Sequence, residues 1–73
     1  MPTTQVRSDI AGKVWKIQAQ IGAVMAADDT ILILESMKME IPVAAPVGGR
    51  LVEIQVAEED VVGEGDVVAV LES

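Results

Sequence analysis

The residues able to do covalent chemistry are few. The chain has no histidine and no cysteine, so it lacks the commonest general base and metal ligand, and any thiol nucleophile. No nucleophile beside a base is recognisable, which argues against an enzyme. The acidic clusters Asp28-Asp29 and Glu58-Glu59-Asp60 lack the alternating spacing of a calcium loop and read as solvated turns, so no metal is expected. What remains is a primary amine. Lys38 sits within Glu35-Ser36-Met37-Lys38-Met39, on a four-carbon stem that can be acylated and then serve as a long tether. Met37 and Met39 flank it with flexible thioethers suited to adaptable contact. The other basic residues, Arg7, Lys13, Lys16 and Arg50, are scattered and read as surface charges.

An amine that another protein must reach needs an exposed and rigid support. The sequence supplies one through an internal repeat. An offset of 37 residues lays Ile10–Ser36 over Val47–Ser73 without a gap. The pairs Gly12/Gly49, Ile17/Ile54, Gln18/Gln55, Val24/Val61, Asp29/Asp66, Leu34/Leu71, Glu35/Glu72 and Ser36/Ser73 are identical. Two copies are too few for a solenoid and imply a pseudo-twofold domain spanning residues 1–73. Each half reads as strand, turn, strand: Val14–Ala19 and Leu51–Val56, the turns Ala26–Asp29 and Gly63–Asp66, then Thr30–Leu34 and Val67–Leu71. The segment Met37–Pro42 joins the two halves, which places Lys38 at a hairpin tip. Pro42 cannot donate to a ladder and suits an edge strand. Trp15 aligns with Val52 and reads as a packing residue, with a partner contact the alternative.

Composition points the same way. Apolar residues make up 51% of the chain, with no Phe or Tyr, and the dominant Val and Ile favour pleated surfaces. The expected fold is therefore all-β, a thin core between two small sheets. A net charge of −7 argues against nucleic acid as a partner. No signal peptide or membrane-length apolar run is present, so a cytoplasmic protein without a membrane partner is expected. Nothing requires more than a monomer.

The stretch Glu35-Ser36-Met37-Lys38-Met39, followed by Ala45-Pro46, Gly49, Val52 and Gly65-Asp66, resembles the biotin/lipoyl attachment family over nearly the whole chain. It is most similar to the short stand-alone attachment proteins. The resemblance implies a flattened β-barrel or sandwich of two four-stranded antiparallel sheets, with Lys38 receiving covalent biotin. It further implies a biotin carboxyl carrier, modified by a biotin protein ligase, that serves biotin carboxylase and carboxyltransferase active sites. Glu35 is expected to contribute to ligase recognition alongside Met37, Met39 and Ser36. Because Leu34-Glu35-Ser36 recurs as Leu71-Glu72-Ser73 with no lysine after it, a purely structural role for Glu35 stays open. Lipoyl domains usually carry Asp before the lysine and a small residue after it. Met37 and Met39 therefore favour biotin, with lipoate the alternative; a third reading is an unmodified interaction module. Asp28 and Glu59 stand where the family often has glycine. Asp tolerates left-handed backbone, whereas Glu59 suggests a turn of different conformation.

Overall fold

The computed structural model describes residues 2–73. Eight strands follow one another: β1 (Thr3–Arg7), β2 (Gly12–Ile17), β3 (Val24–Met25), β4 (Thr30–Ser36), β5 (Met39–Ala44), β6 (Gly49–Ile54), β7 (Val61–Val62) and β8 (Val67–Glu72). They form two four-stranded sheets, ordered β1-β8-β6-β3 and β5-β4-β2-β7. Every pairing is antiparallel. The ladders stay within each sheet, so the arrangement is a sandwich rather than a closed barrel.

The repeat is realised strand for strand. Shifted by 37 residues, β2, β3 and β4 fall on β6, β7 and β8, and the two sheet orders interchange. The shift also carries β1 onto residues 40–44 of β5, a correspondence that leaves only Val6 and Val43 identical. Loop hydrogen bonds repeat as well. Gln18 N–H donates to Ile31 O at 2.9 Å, and Gln55 N–H to Val68 O at 2.8 Å. Asp28 N–H donates to Ala45 O, as Gly65 N–H does to Ser8 O.

The core lies between the sheets. Leu34 and Leu71 occupy equivalent places, as do Val14 and Leu51, and Ile31 and Val68; all are essentially excluded from solvent. Small aliphatic side chains fill this space because the sheets lie close, and the body measures 36 × 18 × 18 Å. Gly12 and Gly49 mark its tightest point: a Cβ on either would approach the Glu35 or Glu72 carbonyl oxygen to 3.0 or 2.9 Å. That contact explains why glycine is kept in both halves.

Two expectations are corrected. Trp15 is not in the core. It is the extra residue of a β-bulge between Val14, opposite Leu34, and Lys16, opposite Ile33. Val14 takes the inward position, so Trp15 faces outward, and the bulge keeps Lys16 outward as well before Ile17 turns back in; Trp15 is 47% exposed. Glu59 does not give its turn a different conformation. It adopts φ 78°, while Gly22, its counterpart, has φ 97°; Asp28 (φ 75°) and Gly65 (φ 87°) form the second such pair.

Candidate functional site

Lys38 lies at the apex of the β4–β5 hairpin. Ser36 pairs with Met39 and Glu35 with Glu40, so the connection consists of Met37 and Lys38 alone. Both have positive φ, 52° and 66°, the type I′ pattern whose twist matches that of paired strands. Neither is Asn or Gly, the residues this turn prefers. Each left-handed non-glycine residue costs about 1–2 kcal/mol, sustained by the ladder behind it. β5 is an edge strand, and Pro42 lies within it opposite Ile33, where its missing donor is tolerated.

The tip faces solvent. Lys38 is exposed, Met37 is 92% exposed and Met39 63%, so neither methionine fills the core. The ion pairs among the described residues are Lys13–Glu59 and Arg50–Glu72, which leaves the Lys38 amine outside both. Ser36 is half-buried at the base of the turn and Glu35 is exposed one residue further in.

Glu35 belongs to a cross-strand row on the outer face: Glu40, Glu35, Lys13 and Val61. The equivalent row on the other sheet is Thr3, Glu72, Arg50 and Val24. There Glu72 takes Arg50 at 3.5 Å. Lys13 instead turns to Glu59 at 3.7 Å, leaving Glu35 opposite a second carboxylate. The recurring Leu-Glu-Ser thus serves an ion pair in one half and none in the other.

The same pseudo-symmetry accounts for the far end. Ser73 N–H donates to Pro2 O at 3.1 Å, which repeats the Ser36–Met39 closure where no turn joins the strands. The Lys38 turn is therefore one of the features that break the twofold. Such an arrangement can present one primary amine on a two-residue turn at the end of a paired hairpin. Among the described residues no three carboxylates stand close enough to hold a metal ion.

The two-sheet sandwich thus presents Lys38 between two exposed methionines at a hairpin tip, the geometry of an attachment domain. The sequence comparisons agree. The biotin/lipoyl family, described as "Biotin-requiring enzyme", matches residues 1–71, and the chain belongs to it. A biotin/lipoyl attachment protein of Bacillus subtilis is 42% identical over 62 residues, covering 85% of each chain. A biotinylated protein TB7.3 homolog of Mycobacterium leprae is 39% identical over 66 residues, covering 90% of this chain and 93% of its own. Urea amidolyase of Saccharomyces cerevisiae is 40% identical over 68 residues, but this chain spans only 4% of its length. Among solved structures, the urea carboxylase of Kluyveromyces lactis superposes with a TM-score of 0.93 at 33% identity, covering 99% of this chain and 6% of that one.

Proposed function

We propose that Lys38 carries covalent biotin and that the chain, as one attachment domain, is a biotin carboxyl carrier. The observation that carries this reading is the exposed Lys38 amine on a two-residue turn with positive φ at both positions. When bound, biotin supplies the ability to carry a carboxyl group, and the carrier moves it between biotin carboxylase and carboxyltransferase sites. The chain's own part is positional. A rigid hairpin holds the amine clear of the surface so that a biotin protein ligase can enclose it. The amine attacks an activated biotinyl carboxyl, forming an amide and releasing a proton and the activating group. Afterwards the lysine stem is the tether, and the short link keeps the group at high effective concentration near partner sites. The chain contributes no carboxylation chemistry of its own. Met37 and Met39 stand where lipoyl domains usually carry Asp and a small residue, which favours biotin over lipoate.

The test is the intact mass of the protein after incubation with biotin, ATP and a biotin protein ligase, for the native chain and Lys38→Ala. One biotinyl group on the native chain and none on the variant is the expected result. Loading only by a lipoate ligase moves the chain to lipoyl carriers. Loading by neither leaves an unmodified interaction module.

A further inference from the structure

The internal repeat shows what the fold itself requires, and the tip of the Lys38 sheet departs from it in charge. On the other sheet the outer row is Thr3, Glu72, Arg50 and Val24, with a single carboxylate that Arg50 meets at 3.5 Å. On the Lys38 sheet Glu40 takes the place of Thr3, directly opposite Glu35. Lys13 takes the place of Arg50, yet its amine lies against Glu59 at 3.7 Å. Glu59 in turn holds a left-handed position, φ 78°, that Gly22 fills in the other half. A strained glutamate thus draws off the cation of the row, and a second carboxylate is added beside the one left behind. Like charges directly opposed destabilise a sheet, so both departures work against the fold taken alone.

One cation remains to offset them. Of the five basic residues, Arg50 stands with Glu72 on the other sheet. The Arg7 guanidinium donates to Gly65 O and Gln5 Oε1, both at 2.8 Å. Lys16 lies opposite Ile33, two strands from Glu40, and adjoins Ile17, whose N–H donates to the Glu58 carboxylate at 3.2 Å. Lys38 precedes Glu40 by two residues, about 7 Å of strand, and its stem spans about 6 Å. Its amine therefore sweeps the space over both carboxylates without leaving the hairpin. The amine belongs to neither close ion pair, so it acts across water, inside the screening length of about 10 Å at 0.1 M salt.

We propose that the Lys38 ammonium is the counter-charge of the Glu35–Glu40 pair, and that acylation of Lys38 removes it and loosens the hairpin. The second half of the inference rests on Lys38 being the biotinylated residue. In that reaction the ammonium yields one proton, and the amine nitrogen bonds to the activated carboxyl carbon. The bond to the activating group breaks, its electron pair leaving with that group, and the nitrogen loses a second proton. The amide nitrogen is uncharged, so Glu35, Lys38 and Glu40 together pass from one net negative charge to two. A loaded domain then differs from an unloaded one in the charge and hold of its hairpin, besides the attached group.

The test is a double-mutant cycle on the unloaded protein, read by thermal melts at about 10 mM and about 1 M salt, where screening lengths are about 30 and 3 Å. Lys38→Gln removes the charge and keeps most of the stem, and Glu40→Thr reproduces Thr3, which the sandwich already accepts. At low salt Lys38→Gln is expected to lower Tm by about 2 °C in the native chain and by under about 1 °C in the Glu40→Thr chain. At high salt both shifts are expected to vanish. Lys16→Gln makes the same change in net charge away from the pair, and its shift is expected to be equal in both backgrounds. An equal Lys38→Gln shift in both backgrounds, or one that high salt leaves in place, overturns the counter-charge. Biotinylation is expected to lower Tm at low salt as Lys38→Gln does, relative to the same comparison at high salt, which removes any contacts of the biotin itself. Glu40→Thr is expected to erase that difference. A loaded chain without this salt-dependent loss overturns the loosening. A chain that the ligase does not biotinylate overturns the Lys38 loading reading, whereas the cycle, run on unloaded protein, still decides the counter-charge.

Discussion

Glu59 and Gly22 occupy the same place in the two halves of the sandwich, and both take left-handed backbone, at φ 78° and 97°. Each donates its N–H across a strand end at 2.7 Å, Glu59 to Val14 O and Gly22 to Leu51 O. The pair of turns is thus one design executed with and without a Cβ. The hydrogen bond holds the φ, and the side chain bears the strain.

Glu59→Gly should therefore stabilise the protein. Relief of the left-handed penalty, about 1–2 kcal/mol, outweighs the greater unfolded-state freedom of glycine, about 0.5–1 kcal/mol. The lost Lys13–Glu59 pair is long and its side chains are 52% and 81% exposed, so it subtracts little. A net gain of about 0.5 kcal/mol, or roughly 2–4 °C in Tm, is expected in a thermal melt. Gly22→Glu should move Tm the other way. Asp28→Gly should gain less than Glu59→Gly, because Asp tolerates this region better. A lower Tm for Glu59→Gly would mean that its side chain contributes more than the backbone loses.

Much of this architecture was legible before any coordinates, and the reason is the repeat. Gly12/Gly49, Asp29/Asp66 and Leu34/Leu71 recur because backbone approach, turn closure and core volume are the same problem in both halves. The hairpin tip followed from its position between the copies. What was illegible depended on register. β1 and β5 correspond at the same 37-residue shift, but as edge strands they tolerate Gln5 against Pro42 and Arg7 against Ala44, so almost no identity marks them. The outward face of Trp15 is hidden because alternation counted back from the inward Ile17 puts it in the core, and the extra residue of the bulge reverses that. The Glu35–Glu40 opposition likewise needs the β4–β5 register.

The strain at Met37 and Lys38 leads to an opposed pair of effects. Met37→Asn supplies a residue that accepts left-handed backbone and favours a type I′ turn. Stability should rise by about 0.5–1 kcal/mol, while removal of a thioether 92% exposed beside the amine should lower kcat/KM for biotinylation about tenfold. A thermal melt and a ligase assay on the same sample check both signs. A gain in stability without a loss in biotinylation would show Met37 to be a bystander to recognition.

Gly12 tests how firmly the post is held. Gly12→Ala puts a Cβ 3.0 Å from the Glu35 carbonyl oxygen, a backbone atom that cannot rotate away. Overpacking of this kind costs about 1–3 kcal/mol. Gly49→Ala meets Glu72 O at 2.9 Å and should cost as much by denaturant titration. The two should differ in function. Gly12→Ala displaces β4 three residues from Lys38 and should also slow biotinylation, whereas Gly49→Ala acts in the sheet that does not carry the hairpin and should leave the rate unchanged. Equal rates in the two variants would mean that the hairpin absorbs the shift.

Asp66 and Asp29 close equivalent turns. The Asp66 carboxylate accepts the Gly63 N–H at 2.7 Å, and Asp29 accepts the Ala26 N–H at 2.9 Å. Asp60 does the same for Ala57 at 2.9 Å, but its counterpart, Ala23, has no side-chain acceptor, although its own N–H still bonds to Gln20 O at 3.0 Å. The fold can therefore close that third turn by backbone alone. Asp66→Ala and Asp29→Ala should each cost about 1–2 kcal/mol, as charge-assisted bonds do. Asp60→Ala should cost less, because Ala23 already shows that the turn forms without it. Asp66→Asn keeps an acceptor oxygen and should recover about half of the loss. Chemical denaturation of the four variants measures the ranking. Equal losses for Asp60→Ala and Asp66→Ala would mean that the carboxylates stabilise their turns independently of the pseudo-symmetric backbone.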